Sequence, residues 1–302
     1  MKKDFLCMEG VSAATLTKLM DDAAEMKKIV LSGDKSTDIL KGKTVATLFY
    51  ENSTRTRCSF EDAAKYLGAT VTVVDVSTSS VQKGESILDT GRTIEAMGAD
   101  VIVIRHSASG APEYLADNVS CSVINAGDGL HAHPTQALLD LFTIREKFGK
   151  VEGLTVTIIG DVKHSRVARS NIVSLTTMGA KVRIYGPPTM IPVAAEKLGC
   201  EVCTSIEDAV KGSDVIMGLR IQLERQQKGL FPSYGEYAKF FGVTPERMKL
   251  ANKGAIAMHP GPVNRGVEFS YALCEDECCY KDVQVTNGVA TRMALLKWIL
   301  ED

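Results

Sequence analysis

Short apolar runs recur along this chain, each separated from the next by a stretch with helical patterning, and that alternation restricts the fold more than any other feature. Runs such as Val101-Ile102-Val103-Ile104 and Val215-Ile216-Met217 are too short for helices and lack the polar alternation of a half-exposed strand. Strands of this kind are buried on both faces, which happens when a parallel sheet is covered by helices on each side. In the first half, strands are expected at 44–50, 70–75, 101–105 and 122–125, with helices at 58–67, 86–97, 112–118 and 134–148. Beyond the Gly-flanked segment Gly149-Lys150-Val151-Glu152-Gly153, a second series follows, with strands at 154–159, 181–185, Val202, 214–218 and 255–259 and helices at 166–178, 190–198 and 206–210. The fold class is therefore α/β, as two doubly wound domains with central parallel sheets, 1–148 and 149–287. An apolar helix over 289–300 must dock, and residues 288–302 are expected to return to the first domain.

A chain of 302 residues has room for two such domains and a cleft between them. With 45% apolar and 24% charged residues it can bury a sizeable core. A formal charge of −2 provides no basic footprint for nucleic acid or anionic lipid, so the partner should be a small molecule. Met1-Lys2-Lys3-Asp4-Phe5-Leu6 is not followed by an apolar run of signal-peptide length, and no stretch approaches a membrane span, so a cytoplasmic location is expected. The eight cysteines are read as free thiols. Cys200-x-x-Cys203 and the group Cys274, Cys278 and Cys279 could by residue type supply thiolates for zinc. Because Cys200 and Cys203 flank a strand-like Glu201-Val202 and no His lies near, no metal is expected.

Three segments carry chemistry. Glu51-Asn52-Ser53-Thr54-Arg55-Thr56-Arg57 falls between a buried strand and a helix expected to start at Cys58. Hydroxyls, guanidiniums and helix N-terminal N–H groups then converge as a phosphate dianion requires, which a bland Ser/Thr-rich turn would not explain. His133-Pro134-Thr135-Gln136 opens another helix after Ala126-Gly127-Asp128-Gly129, and Arg105 ends the strand before it. An imidazole, a carboxamide and a guanidinium at one sheet edge suit the carbonyl and amide of an acyl phosphate. In the second half, Arg166 and Arg220-Ile221-Gln222 stand at strand-to-helix turns, where two guanidiniums can clamp a dicarboxylate. His259-Pro260-Gly261-Pro262 presents backbone carbonyls for an amine. Gly160 at a strand end also suggests a dinucleotide site, but Asp161-Val162 follows it and no G-x-G-x-x-G is present. Ser79-Ser80-Val81-Gln82-Lys83-Gly84 reads from its own residues as a solvated loop.

Over essentially its whole length the chain resembles the aspartate and ornithine carbamoyltransferase family, through Ser53-Thr54-Arg55-Thr56-Arg57 and His133-Pro134-Thr135-Gln136. Ornithine enzymes typically carry His-Cys-Leu-Pro and Ser-Met-Gly segments; His259-Pro260-Gly261-Pro262, Arg220-x-Gln222 and Ser79 to Glu85 resemble the aspartate branch. The resemblance implies that Ser53, Thr54, Arg55, Thr56, Arg105, His133 and Gln136 bind carbamoyl phosphate. It also implies that Lys83, Arg166, Arg220 and Gln222 take the carboxylates of aspartate, while the backbones of Gly261 and Pro262 meet the reacting groups. Arg55, Thr56, Arg105, His133 and Lys83 would be catalytic. The family often has Leu where this chain has Gly261. It forms catalytic trimers in which Ser79 and Lys83 enter the site from a neighbouring subunit, so a homotrimer with shared sites is implied and no cofactor is needed. The base that takes the amine proton is left open between the departing phosphate and Lys83, as is association with regulatory chains or another pathway enzyme. A non-catalytic relative should show gaps among the named positions, and none is present.

Overall fold

The computed structural model describes residues 2–221 and 233–301. Its elements, in chain order, are α1 (Ala13–Leu31), β1 (Thr44–Phe49), α2 (Thr54–Tyr66), β2 (Thr70–Asp75), α3 (Ile87–Ala96), β3 (Val101–His106), α4 (Ala111–Ala116), β4 (Ser122–Asp128) and α5 (Pro134–Phe148). The second half contributes β5 (Thr155–Ile159), α6 (Arg166–Thr177), β6 (Lys181–Tyr185), β7 (Cys200–Val202), α7 (Ile206–Val210), β8 (Val215–Gly218), α8 (Tyr234–Phe241), α9 (Pro245–Met248), β9 (Ile256–Met258), α10 (Tyr271–Cys274) and α11 (Lys281–Leu300).

Among the described residues all pairings between these strands are parallel, in two sheets with the orders β2-β1-β3-β4 and β7-β6-β5-β8-β9. The apolar run at 101–104 is fully buried because β3 is interior to its sheet, whereas every residue of edge strand β2 is exposed or only half-buried. Two compact units result, one made of Met1–Phe142 with Val285–Asp302 and the other of Thr143–Gln284. Both crossings run through helices, α5 and α11, and Gly149–Gly153 lies inside the second unit.

Several boundaries differ from expectation. Helix α2 starts at Thr54 rather than Cys58, so the hydroxyl- and Arg-rich motif is the first helical turn itself. No α-helix covers 190–198; the chain makes short 3-10 turns at Pro188–Met190 and Ala195–Leu198. Pro192 explains the break, since it lacks an N–H and holds Ile191 extended at φ −97°, ψ 132°. Helix α1 was not anticipated, although Ser12 caps it and Leu16, Leu19, Met20, Ala23 and Met26 recur at helical spacing as its buried face. Short helices α8, α9 and α10 were also missed, each capped by Ser233, Thr244 or Ser270. Helix α11 begins well before Val289, and its Ala290, Met293, Ala294, Leu295, Leu296 and Ile299 are buried. Among the described residues, no helix is long and apolar enough to cross a membrane.

All eight cysteines are free thiols. Burial pushes the Cys203 thiol up to about 11 and the Cys278 thiol up to about 12, as expected of apolar packing groups.

Candidate active site

In an open parallel sheet, ligands bind beyond the carboxyl ends of the strands, where the strand order reverses. For the first unit that point lies between β1 and β3, and the motif after β1 occupies it. Ser53 is the N-cap of α2, yet its hydroxyl makes no capping bond to the helix. Thr56 is buried, and Thr54 and Arg55 are exposed. The first-turn N–H groups of any helix have no partner within it, so this turn combines a positive dipole end with hydroxyls and a guanidinium.

Arg105 pairs in register with Phe49 across β1 and β3, which brings its guanidinium to the same edge. Its Nε lies 3.3 Å from Glu51 Oε2 and its Nη1 donates to Ala126 O at 3.4 Å, so it spans from the end of β1 to the end of β4. Glu51, part of the motif but given no role from sequence, thus steadies the cation. The neighbouring His106 sits edge-on to Tyr50 with ring centroids 4.7 Å apart, and burial lowers its imidazole pKa.

His133 and Gln136 are buried, one just before α5 and the other in its first turn, and the His133 carbonyl accepts from Gln136 N at 3.0 Å. What shapes this turn is Asp128, fully buried at the end of β4 and given no role of its own from sequence. It accepts from Gly110 N at 2.8 Å, Asn125 Nδ2 at 2.8 Å and Ala132 N at 3.0 Å, and lies 3.0 Å from His131 Nδ1. Gly129 follows at φ +43°, where an added Cβ would stand 2.7 Å from Ser109 N. Glu113, Asp128 and His131 form the one grouping of potential metal ligands among the described residues; it contains none of the cysteines named above.

Ser79 and Lys83 follow β2, on the same carboxyl edge. Ser79 caps a 3-10 turn, Ser80–Lys83, that closes at Gly84 with φ +91°, and Lys83 is exposed.

In the second unit the order reverses between β5 and β8. Arg166, buried, is the first residue of α6 after the turn that leaves β5, and Arg220 lies just past β8. Gln222 lies outside the described residues. The backbone beside Arg220 is joined to the Pro-rich loop by Glu268, which the sequence reading missed. Its carboxylate accepts from Ile221 N at 2.7 Å, Asn264 N at 2.9 Å and Asn264 Nδ2 at 2.7 Å. Burial raises its pKa, and nearby Tyr237, itself buried, has its hydroxyl pKa raised chiefly by burial, with Glu268 and Asp161 adding to it. Nothing in a lone Glu followed by Phe269 betrays this role; the signal is the three N–H groups that converge on it. His259 is buried, its N donates to Gln284 Oε1 at 2.8 Å and its Nδ1 accepts from Gly261 N at 2.9 Å. Gly261 adopts φ +67°, a left-handed conformation that Leu adopts poorly, so the departure from the family pattern matches the local backbone.

The structure therefore brings Ser53, Thr54, Arg55, Thr56, Arg105, His133 and Gln136 to one sheet edge, and Arg166, Arg220, Gly261 and Pro262 to the corresponding edge of the other sheet.

Comparison with known proteins places these two halves in one lineage. Residues 3–146 match the aspartate/ornithine carbamoyltransferase carbamoyl-P binding domain, and residues 152–299 match the Asp/Orn binding domain. The chain is 58% identical over 294 residues to the aspartate carbamoyltransferase catalytic subunit of Ruminiclostridium cellulolyticum, covering 97% of this chain and 94% of that one. It is 54% identical over 301 residues to that of Caldanaerobacter subterraneus, covering 100% and 99%. Among solved structures, aspartate transcarbamoylase from Trypanosoma cruzi in complex with N-(phosphonacetyl)-L-aspartic acid superposes with a TM-score of 0.90 at 31% identity, covering 98% of this chain and 95% of that one. Ornithine carbamoyltransferase from Thermus thermophilus superposes with a TM-score of 0.87 at 26% identity, covering 100% of both. With family models covering nearly all of it and relatives sharing more than half of its residues, the chain belongs to the aspartate/ornithine carbamoyltransferase family.

Proposed function

We propose that the protein transfers the carbamoyl group of carbamoyl phosphate to the α-amino group of L-aspartate, releasing phosphate and N-carbamoyl-L-aspartate, an early step in building pyrimidines in the cytoplasm. The observation that carries this reading is the placement of the Ser53–Arg57 turn at the β1/β3 reversal with Arg105 in register beside it. Ser53, Thr54, Arg55 and Thr56 hold the phosphate dianion, with the α2 amides supplying further donors. Arg105, His133 and Gln136 meet the carbamoyl group. Arg166, Arg220, Gln222 and Lys83 pair with the carboxylates of aspartate, and the carbonyls near Gly261 and Pro262 orient its amine.

The deprotonated amine attacks the carbamoyl carbon to give a tetrahedral oxyanion, and collapse breaks the C–O bond to phosphate as the proton of the attacking nitrogen passes to the departing phosphate or to Lys83. Thr56, Arg105 and His133 stabilise that oxyanion, each donor contributing on the order of 3 kcal/mol. Holding two anionic substrates together is costly in water, which accounts for the number of cationic side chains. Lys83 and Ser79 act on a neighbouring chain of a homotrimer. The choice of aspartate over ornithine rests on Arg166 and Arg220, which suit a second carboxylate and repel an ammonium.

The purified protein, supplied with carbamoyl phosphate, should carbamoylate aspartate and leave ornithine untouched in a colorimetric ureido assay. Turnover of ornithine in preference to aspartate would overturn the acceptor assignment.

A further inference from the structure

The two ends of the Gln136 carboxamide are chemically opposite, and only one can face a carboxylate. Its Nε2 donates to Asp140 Oδ1 at 3.0 Å in a buried contact. A carboxylate only accepts, so one of the two amide N–H groups is committed there, and Oε1, on the other branch of the planar carboxamide, is left as an acceptor. Gln136 lies in the first turn of α5, the end of that helix that opens at the carboxyl edge of the sheet.

Asp140 has a counter-charge within electrostatic reach, Arg292. Arg292 of α11 is buried, its Nη1 donates to Gly288 O at 2.9 Å, and its guanidinium lies 5.1 Å from the centroid of the Phe60 ring on α2. Gly288 makes the space, since a Cβ there would stand 2.6 Å from Arg292 Nη1 and 3.3 Å from Leu139 Cδ2 on α5. Burial lowers the Arg292 pKa to about 10, and the opposing charge that acts on it is Asp140. A buried carboxylate needs such a counter-charge, because an isolated one is strongly disfavoured in the interior.

We propose that Asp140 is a positioning residue that, by fixing Gln136 with its oxygen toward the ligand, makes the site select a carbamoyl phosphate over a plain acyl phosphate. The proposal rests on the reading above that Gln136 meets the carbamoyl group. Carbamoyl and acetyl phosphate differ by an NH2 in place of a CH3. An acceptor-facing Gln136 pairs with the first and is left unpaired by the second, a difference worth roughly ten- to a hundredfold. Were the amide free to turn, its N–H would meet the ligand N–H and the preference would shrink.

The test is the ratio of kcat/KM for carbamoyl phosphate to that for acetyl phosphate, with aspartate as acceptor, in the wild type, Asp140→Asn, Gln136→Met and the double variant. The ratio should fall roughly tenfold in Asp140→Asn, by a similar or larger factor in Gln136→Met, and no further in the double variant. A role confined to packing would lower both substrates together; an unchanged ratio in Asp140→Asn, or additive losses in the double variant, would overturn the proposal. Should melting show that Asp140→Asn leaves Arg292 too unbalanced to fold, Asp140→Asn/Arg292→Met removes both charges and the same ratio decides. A wild-type protein that turns over neither phosphate would instead remove the functional reading on which this rests.

Discussion

At the scale of single residues, the site depends on charges that are braced rather than merely present. The role proposed for Arg105 requires its guanidinium to be held in place, and Glu51 at 3.3 Å together with the Ala126 carbonyl does so. Arg105→Ala should therefore lower kcat by roughly a hundred- to a thousandfold with a smaller change in the aspartate KM, measured by steady-state kinetics at saturating carbamoyl phosphate. In the second unit, Glu268 braces the backbone beside Arg220. Glu268→Gln would set an NH2 against at least one of the three N–H groups it now satisfies, and should cost about 1–3 kcal/mol in a denaturant melt. Its pH dependence has a definite sign. Because burial raises the Glu268 pKa above 4.5, the native state holds this proton more tightly than the unfolded state, so its contribution is full on the acid side of 4.5 and is lost as pH rises through the raised value. The gap in stability between wild type and Glu268→Gln should shrink as pH rises across that range; a gap that widens would show that Glu268 is ionised more readily in the fold than in the open chain. Arg105 and Arg166 were legible in the sequence because a cation at a strand or helix end is a local pattern. Glu51, Asp128 and Glu268 acquire their roles only from groups that the fold brings to them.

At the scale of elements, Ser53 and Ser86 are both N-caps, and they differ in what their hydroxyls do. Ser86 accepts from Asp89 N at 3.1 Å and donates to Asp89 Oδ2 at 2.7 Å, completing the start of α3. Ser53 makes no such bond at the start of α2. A hydroxyl withheld from its own helix is suited to a ligand. Ser86→Ala should cost about 1 kcal/mol of stability and leave the KM for carbamoyl phosphate near the wild-type value. Ser53→Ala should change stability by less than about 0.5 kcal/mol while raising that KM, with thermal melts and initial rates read on the same preparations. Equal stability losses in both would show that Ser53 serves α2 after all. The start of α2 at Thr54 was hidden from a reading of propensity alone, because Thr54-Arg55-Thr56-Arg57 looks like a polar loop; the helix extends through it because Phe60, Ala63 and Ala64 bury its inner face. Conversely, the helix expected over 190–198 failed on Pro192, a local signal that an apolar pattern had outweighed.

At the scale of the whole molecule, the reading of Lys83 as a residue that serves another chain makes trimerisation a condition for activity. Arg55→Ala and Lys83→Ala should each be nearly inactive alone, and mixed trimers should regain activity because some sites combine both wild-type contributions. Subunit exchange verified by native mass spectrometry, with activity still absent, would place Lys83 in its own chain's site or outside any site. The alternation of apolar strands with helices was enough by itself to establish two parallel α/β sheets, because a strand with no polar face has to be covered on both sides. That hydroxyls and guanidiniums gather at one strand-to-helix junction was equally legible, because they are adjacent in sequence. Strand order was not, since nothing local to β1 says whether β2 or β3 lies beside it; the structure sets both there, and so brings Arg105 to the same edge as Ser53. The path of α11 was half legible: its apolar face demanded a partner, but that Arg292 would meet Phe60 and the charge of Asp140 follows from contacts between residues far apart in the chain, which only tertiary packing decides.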